Sequence, residues 1–356
     1  MTSLIGNAPV DGVDVAALLG IPISAEQERA VQAPLKPCAV IAGAGTGKTT
    51  VMAARVVWLV ASRLVSPEEI LGLTFTNKAT AELSERIESN LTRVGLLTSE
   101  QPRPTVATYD SFAGTLVNDY GAWDGISTGA HLITGARAYQ LAAEVVMGLD
   151  KAPLAATHMG PTFIAQAVVK LAGAMASHDA SPGKVRRADA RWRQMLLAAP
   201  TKRGGDRYAD IDKWLSRVDE REELLDLVAA YQNLKKERGL VEFGDRMVQA
   251  LHLVTHHPRV GEELRARYRV VLLDEYQDTS SAQADVLAAL FSGPDSAHGM
   301  GHPVMAVGDP LQAIYEWRGA AASNILEFHR RFPNKEGTPA QVLSLATNRR
   351  CADQII

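Results

Sequence analysis

Short apolar runs and amphipathic stretches alternate along the first third of the chain. The runs PCAVIAG (37–43), ILGLTFT (70–76) and PTVATYD (104–110) have the length and composition of buried strands, and each precedes a stretch with helical periodicity. A further helix is predicted from Ser24, because a serine followed three residues later by Gln27 is typical of a capping box. Strands that alternate with helices predict an α/β fold with a parallel sheet.

The pattern changes between about residues 119 and 239, where amphipathic, Ala-rich stretches follow one another without a convincing strand. Strand signals return in YRVVLLDE (268–275) and PVMAVGD (303–309). We therefore predict an α/β domain formed by residues 21–118 and 240–340, a nested all-helical insertion at 119–239 and an N-terminal extension at 1–20.

Length and composition narrow the class of protein. The chain has 356 residues, enough for two domains that each bury a core, and a net charge of -3 that does not exclude a nucleic-acid partner. Its two distant cysteines fit neither a disulfide framework nor a metal cluster, and no apolar run reaches membrane-spanning length. A protein of the reducing cytosol, without a membrane partner, is expected.

Lysine and arginine are concentrated around Trp192 within residues 183–207. Such a run can contact nucleic acid, but a solvated helix face is the more frequent outcome for a charge run taken alone. Both interpretations remain open at this point.

The segment IAGAGTGKTT (41–50) follows a predicted strand and opens a predicted helix, as a phosphate-binding P-loop does, although Ala42 replaces the first glycine of the pattern. Lys48 would neutralise β- and γ-phosphate charge, and the Thr49 hydroxyl would hold Mg²⁺. The backbone amides predicted to cradle the phosphates are those of Gly43, Ala44, Gly45, Thr46, Gly47, Lys48 and Thr49.

Two adjacent acids in VVLLDEYQDTS (270–280) follow four apolar residues, where a buried parallel strand reaches its carboxyl end. Asp274 would complete the Mg²⁺ shell, and Glu275 would orient or deprotonate the attacking water. Alone, such a pair is most often the start of a solvated loop. Together with the P-loop it predicts hydrolysis of a magnesium nucleotide.

The segment VGDPLQAIYEWRGA (307–320) has two interpretations. Tyr315 and Trp317 could be core residues at strand spacing, with Arg318 extending to water. Alternatively, an amide, two rings and a guanidinium in one loop could serve two ligands at once.

These blocks, together with LTFTNKATAELSERI, VATYDSFAGTL, VEFGDRM and LATNRRC in this order, resemble the superfamily 1 helicases of the UvrD, Rep and PcrA kind. The resemblance implies a RecA-like motor domain with a helical insertion, and ATP and Mg²⁺ as cofactors. It also implies three-prime to five-prime movement on single-stranded DNA and at junctions with duplex DNA, in repair or recombination.

The resemblance also implies residue roles. Gln312 and Arg318 would contact the γ-phosphate, Tyr315 and Trp317 would face DNA, and Gln27 would read adenine with its amide. The remaining residues that match DNA-facing blocks are Phe75, Thr76, Asn77, Thr108, Tyr109 and Ser111. Taken singly, each is equally expected to be a strand-end or helix-capping residue.

Three positions depart from the family pattern. Asp110 stands where a histidine is usual, which puts close DNA contact there in doubt. Thr50 replaces an arginine that covers adenine, and Arg349 replaces a tyrosine that stacks on it, although a guanidinium plane can also stack on a base. Arg350 keeps the place of a γ-phosphate contact.

The resemblance further implies that residues 341–356 begin a second RecA-like domain, so we expect this chain to be a fragment of a longer motor. A narrower similarity to actinobacterial AdnAB implies a second helicase-nuclease subunit as a partner. The sequence shows no metal cluster of a nuclease. Two functions are therefore carried forward: an ATP-dependent DNA translocase or helicase, and a nucleotide-binding fragment that binds Mg-ATP and DNA without turnover.

Overall fold

A computed structural model describes residue 10 and residues 12–127, 129–150, 158, 160–315 and 319–350. The chain divides into two compact units. The first unit comprises residues 1–124 and 250–356, and the second comprises Gly125–Gln249. The second unit corresponds to the insertion predicted at 119–239, but both of its boundaries lie further toward the C-terminus than predicted.

The first unit contains helices and strands that alternate as predicted. Its elements before the second unit are α1 (Val15–Leu19), α2 (Ala25–Val31), β1 (Cys38–Ala42), α3 (Lys48–Ala61), β2 (Ile70–Thr74), α4 (Asn77–Arg93), β3 (Thr105–Thr108) and α5 (Tyr109–Tyr120). The second unit contains β4 (His131–Leu132), α6 (Gly135–Met147), α7 (Pro161–Ser177), α8 (Pro182–Leu197), α9 (Ala209–Glu237) and β5 (Leu240–Val241). The following elements are α10 (Phe243–His256), α11 (Pro258–Arg267), β6 (Val270–Leu273), α12 (Ser281–Phe291), β7 (Val304–Gly308), α13 (Ser323–Arg331) and β8 (Gln341–Leu345).

A six-stranded sheet forms the centre of the first unit, with strand order β3-β2-β6-β7-β1-β8 and parallel pairing throughout. The predicted α/β fold with a parallel sheet is confirmed. The order is that of a RecA-like domain in which β1 lies between β7 and β8. Because all strands run the same way, the segments that follow β1, β2, β6 and β7 meet at one edge of the sheet.

The last strand corrects the predicted domain division. Strand β8 pairs in parallel with β1, from Cys38 opposite Gln341 to Ala42 opposite Leu345. Residues 341–345 therefore complete the first sheet. The expectation that residues 341–356 begin a second domain is wrong for residues 341–345. At the other end, α1 belongs to the core of the first unit, because Val15 and Leu19 are buried within it.

The second unit buries its own apolar core, formed by side chains of α6, α7 and α9. It is helical except for the two-residue strands β4 and β5, which pair in parallel, so the insertion is not all-helical. Near its end, the buried Lys235 ammonium donates to the carboxylates of Glu242 and Asp245 at 2.7 and 2.6 Å. The VEFGDRM block thus provides the acids that neutralise a buried cation.

The first part of the basic run around Trp192 lies on α8, and two of its arginines pair with acids of α9. Arg186 forms ion pairs with Glu222 and Asp226, and Arg193 forms one with Asp219. Trp192 is 53% exposed. These pairs support the interpretation as a solvated helix face. Within the described ranges, no helix combines the length and apolar character that crossing a membrane requires.

Candidate functional site

The loop between β1 and α3 has the backbone of a phosphate-binding turn. Gly45 and Gly47 have φ angles of 76° and 89°, a region that glycine occupies without the steric cost of a Cβ atom. Gly47 is the N-cap of α3, so the positive end of the helix and its first-turn amides face the loop. This is the geometry that binds an anion, as the sequence predicted.

Gln27 is held against this loop by the capping box of α2. Its Oε1 accepts from the Ser24 amide at 3.0 Å, and its Nε2 donates to the Thr46 carbonyl at 2.9 Å. The capping box was predicted, and it is confirmed. Each polar end of the Gln27 amide bonds to a backbone group, but a primary amide has two N–H donors and two oxygen lone pairs, so both ends keep capacity for adenine. The adenine role stays a prediction.

Arg55 fixes α2 to α3 and was not assigned a role from the sequence. Its side chain is 1% exposed, and its guanidinium donates to the carbonyl of Val31, the last residue of α2, and to those of Ala33 and Pro34 just beyond it. Burial lowers the pKa of Arg55 to about 10. The visible signal was a lone arginine in the otherwise apolar stretch VMAARVVWLVA.

A cavity of about 440 Å³ opens beside the P-loop. It brings together Gln27, Thr50 and Arg349, the three residues that the resemblance assigns to adenine. Arg86 also lines it, and its guanidinium donates to the Thr50 hydroxyl at 3.2 Å. The remaining lining residues are Ile21, Pro22, Gly47, Asn90 and Arg93. The sequence predicted neither the position of Arg86 nor that of Arg93, because only tertiary packing places α4 beside the P-loop.

Glu275 and Lys48 meet across the sheet edge. Nζ of Lys48 lies 3.3 Å from Oε2 of Glu275, and the Glu275 side chain is one-third exposed. Glu275 has a φ angle of 45°, which is unusual for a residue with a side chain and is typical of functional sites. Lys48, predicted to neutralise phosphate charge, and Glu275, predicted to orient or deprotonate the attacking water, therefore form an ion pair.

Asp274 is 5% exposed, and its Oδ1 has no hydrogen-bond partner within the described part of the chain. Burial and the neighbouring Glu275 raise the pKa of Asp274 to about 7, while Lys48 opposes this shift. A buried, unpartnered carboxylate oxygen fits a hard cation such as Mg²⁺, which prefers oxygen ligands. Thr49, the other predicted ligand, lies in the first turn of α3.

A polar network that the sequence did not reveal links Glu275 to the loop after β7. Gln277 donates to Glu275 at 2.9 Å and accepts from the Asp309 amide at 3.0 Å. Gln312 in turn donates to the Asp309 carboxylate at 2.5 Å. The signal that could have identified Gln277 and Asp309 is their position, since both are polar residues that closely follow a buried strand.

Asp278 is a second buried acid of this network. Burial and Glu275 raise its pKa to about 6, and a hydrogen bond from the backbone of Ile314 opposes the shift. Its Oδ1 is buried without a hydrogen-bond partner among the described residues. Asp278 thus connects the segment after β6 with the segment after β7.

The rings of Phe75 and Tyr315 pack together at the same edge, with centroids 4.8 Å apart and an interplanar angle of 34°. Both were predicted to face DNA, and the structure brings them together from the ends of β2 and β7. Trp317 and Arg318 lie outside the described residues, so their predicted roles stay predictions. Next to Tyr315, the apolar side chains of Leu311 and Ile314 are 93% and 69% exposed.

The other predicted DNA-facing residues have local structural roles. Thr76 caps α4 by accepting from the Ala79 amide, and Thr108 caps α5 by accepting from the Ser111 amide. The capping alternative is confirmed for these two threonines. Asn77 is exposed in the first turn of α4, and contact between Asn77 and DNA stays a prediction.

Tyr109 requires a correction. Its side chain is 3% exposed, and its hydroxyl donates to the Asp274 carbonyl at 2.9 Å. A buried ring cannot face DNA, so Tyr109 instead supports the backbone of Asp274. Asp110, which replaces the usual histidine, accepts from the side-chain Nε2 of Gln283 at 2.9 Å.

Residues that follow β8 also reach the P-loop. The Arg349 amide donates to the Gly45 carbonyl at 2.9 Å, and a Cβ built on Gly45 would lie 2.6 Å from Oδ1 of Asn348 and 2.9 Å from Cβ of Arg350. Arg350 thus lies beside the phosphate-binding loop, and its role at the γ-phosphate stays a prediction.

The sheet order, the P-loop and the acid pair after β6 define a RecA-like P-loop domain. The model of the UvrD/REP helicase N-terminal domain matches residues 23–333, so the chain belongs to this family.

Curated relatives agree with the family. The chain is 28% identical over 313 residues to a DNA helicase II of Rickettsia typhi, covering 87% of this chain and 40% of the relative. It is 28% identical over 317 residues to the ATP-dependent DNA helicase UvrD1 of Mycobacterium tuberculosis, covering 88% and 36%. A DNA helicase II of Salmonella typhimurium is 29% identical over 344 residues, covering 97% and 40%. The chain thus spans about two fifths of the length of these relatives.

Proposed function

We propose that this chain is the nucleotide-binding part of an ATP-dependent DNA helicase or translocase, which moves three-prime to five-prime on single-stranded DNA in repair or recombination. The observation that carries the proposal is one sheet edge that holds both sets of groups. The Lys48–Glu275 pair lies beside the P-loop, and the Phe75–Tyr315 ring pair is formed by the segments that follow β2 and β7, which β6 separates in the sheet.

At the nucleotide site, the backbone amides of the P-loop and of the N-terminus of α3 would bind the phosphates. Lys48 would separate from Glu275 and neutralise the phosphate charge instead. Asp274 and Thr49 would hold Mg²⁺, which supplies charge neutralisation at the phosphates. Glu275, freed from Lys48, would accept a proton from the attacking water. The cavity lined by Gln27, Thr50 and Arg349 has a suitable position for the adenine ring of the nucleotide.

The loop after β7 would couple the two ligands. Gln312 belongs to the network that reaches Glu275, and Tyr315, three residues later, contacts Phe75. A change at the γ-phosphate would therefore alter the position of the ring pair. Base stacking on aromatic rings is worth roughly 1–3 kcal/mol per base, without sequence preference, which suits movement along any strand.

The test measures ATP hydrolysis by the chain, and by any longer form that the gene encodes, with and without single-stranded DNA. Stimulation by DNA that is lost in Lys48→Ala and kept in the surface control Glu327→Gln supports the proposal. For polarity, displacement of streptavidin is compared between DNA biotinylated at either end. Displacement from the five-prime end alone is expected. An ATP hydrolysis rate that does not change when single-stranded DNA is added would count against the proposal.

A second function, nucleotide binding without turnover, is favoured by the ion pair that holds Glu275 away from a water-activating role. Under this alternative, residues 1–356 bind a fluorescent ATP analogue with Mg²⁺ but do not release phosphate, even with DNA. DNA-stimulated turnover by residues 1–356 would exclude it. The AdnAB-like second subunit stays a prediction.

A further inference from the structure

A cluster of histidines around one carboxylate lies in the first unit, outside the proposed nucleotide and DNA sites. Asp124 ends the 3-10 turn Gly121–Asp124 that follows α5. His252 and His256 are one turn apart in the last part of α10, and His257 is the N-cap of α11. Residues separated by four positions project from the same helix face.

The polar atoms of these side chains converge on the carboxylate. Nδ1 of His252 lies 2.8 Å from Oδ2 of Asp124, Nδ1 of His256 lies 3.7 Å from Oδ1, and Nε2 of His257 lies 3.4 Å from Oδ1. One potential ligand atom each of Asp124, His252 and His256 falls within 4.8 Å of the others. The His252 and His256 rings are in contact, with centroids 3.8 Å apart.

These separations match those between ligands of one metal ion. Nitrogen and oxygen ligands bound tetrahedrally at about 2.0–2.1 Å lie about 3.3 Å from one another. The three nitrogen-to-oxygen distances fall on both sides of that value. The alternative account is a hydrogen bond from an imidazole N–H of His252 to Asp124 at 2.8 Å, and a metal titration distinguishes the two accounts.

The donor set selects the kind of ion. Imidazole nitrogen with a single carboxylate suits Zn²⁺ and neighbouring transition metals, whereas Mg²⁺ and Ca²⁺ prefer shells made of oxygen. The His252 and His256 side chains are 60% and 50% exposed, so an ion can reach them from solvent. The Asp124 side chain is 20% exposed and gives the cluster a partly shielded anionic base.

We propose that Asp124, His252 and His256 bind a divalent transition metal of the Zn²⁺ class. Asp124 is the last residue of the first unit before residues 125–249, and His252 lies just after them. A bound ion would therefore tie together two segments of the first unit that are separated by the whole second unit in sequence. Because the ion binds the folded state, it stabilises that state by mass action.

The experiment titrates Zn²⁺ and Co²⁺ into tag-free protein without nucleotide, in excess Mg²⁺ so that oxygen-rich sites are occupied. Calorimetry gives the stoichiometry, and the visible absorption of Co²⁺ reports nitrogen and oxygen coordination. Trp123, whose ring lies 5.9 Å from that of His257, provides a fluorescence signal that Co²⁺ should quench. We expect one ion per chain and a rise in melting temperature that EDTA reverses.

The variants His252→Asn and His256→Asn remove one ligand each from exposed positions and should each weaken binding by about tenfold or more. The matched control is His298→Asn, since His298 forms a simple pair with Asp295 at 2.8 Å on the same unit. All variants must melt like the wild type in EDTA.

Equal affinity in the wild type and both cluster variants, or no binding by the wild type, would overturn the proposal. Loss of binding in His298→Asn as well would also overturn it, because binding would then be a general property of surface histidines. The site does not depend on the proposed function, so an inactive protein that binds one Zn²⁺ through these residues still supports it.

Discussion

The ammonium of Lys48 and the carboxylate of Glu275 lie 3.3 Å apart, although they follow different strands of the sheet. Each group neutralises the other, and Gln277 holds the same Glu275 oxygen from a second side at 2.9 Å. Nucleotide phosphates would compete with Glu275 for Lys48. The ion pair therefore ties binding of the nucleotide to release of the proposed base.

Replacing Glu275 with glutamine tests this relationship. Glu275→Gln removes the competitor of the phosphates but also the base, so nucleotide affinity should hold or rise while hydrolysis falls by roughly 10²-fold or more. Lys48→Ala should instead weaken nucleotide binding itself. Fluorescent-nucleotide titration and phosphate release measure the two effects, with Glu327→Gln as the surface control. A wild-type hydrolysis rate in Glu275→Gln would show that the assignment of the base is wrong.

Asp274 gives a prediction about pH and stability. Its pKa in the folded protein is raised from the ordinary 3.8 to about 7, so between these values the folded state holds a proton that the unfolded state has lost. The free energy of unfolding therefore falls as pH rises through this window.

Asp274→Asn cannot ionise, and without divalent ions at pH 8 it should be more stable than the wild type by roughly 2–4 kcal/mol. The difference should shrink at pH 5, and Mg²⁺-dependent nucleotide binding should be lost. Urea unfolding at both pH values in EDTA measures this. A variant less stable than the wild type at pH 8 would contradict the conclusion that burying the charged Asp274 carboxylate destabilises the folded state.

Gly45 and Gly337 form a matched pair for testing the P-loop. Both have positive φ angles, 76° and 74°, but a Cβ on Gly45 would lie 2.6 Å from Asn348 Oδ1, whereas a Cβ on Gly337 would project into open space. Each alanine substitution should cost about 1–2 kcal/mol of backbone strain. Only Gly45→Ala should also abolish nucleotide binding, measured by titration beside thermal melting. Equal nucleotide affinity in both variants would contradict the close packing at Gly45.

The Phe75–Tyr315 ring pair predicts a loss of DNA affinity on truncation. Phe75→Ala should weaken single-stranded DNA binding by roughly 1–3 kcal/mol with little dependence on base identity. Phe163→Ala, at a phenylalanine that is 63% exposed, is the control. Fluorescence anisotropy with oligo-dT and mixed-sequence DNA measures both. Unchanged affinity in a stably folded Phe75→Ala would argue against stacking. The same measurement on Trp317→Ala tests the ring predicted from sequence.

His302 predicts acid sensitivity at a position outside both ligand sites. Burial lowers its pKa from 6.5 to about 4, and its Nε2–H donates to the Tyr268 carbonyl at 2.9 Å. The unfolded state takes up a proton near pH 6.5 and the folded state only near 4, so stability present above pH 6.5 is lost as pH falls. At pH 5 this loss is about 2 kcal/mol.

The variant His302→Gln keeps an amide donor but does not titrate. The difference in unfolding free energy between the wild type and His302→Gln should therefore change between pH 7.5 and pH 5, to the disadvantage of the wild type. Urea unfolding at the two pH values measures it. Parallel pH profiles of the two proteins would show that His302 does not carry the effect.

The sequence by itself determined the features that depend on neighbouring residues. The alternation of strands and helices, the P-loop, the Ser24–Gln27 capping box and the acids after β6 all follow from side-chain period and backbone geometry within a few positions. Such features depend on conformational preferences of residues within a few positions of one another, and the sequence pattern shows these preferences directly.

Only the tertiary structure decided which distant segments meet. Strand β8 belongs to the first sheet although most of its residues are exposed, which gives it a weak strand pattern in the sequence. Its pairing with β1 forms backbone hydrogen bonds that a local sequence pattern does not predict. Packing also buried Tyr109 beneath Asp274, joined Gln277 to Asp309, and brought His252 to Asp124 across 128 positions of sequence. These contacts depend on the burial free energy of the whole core, which no single stretch of sequence contains.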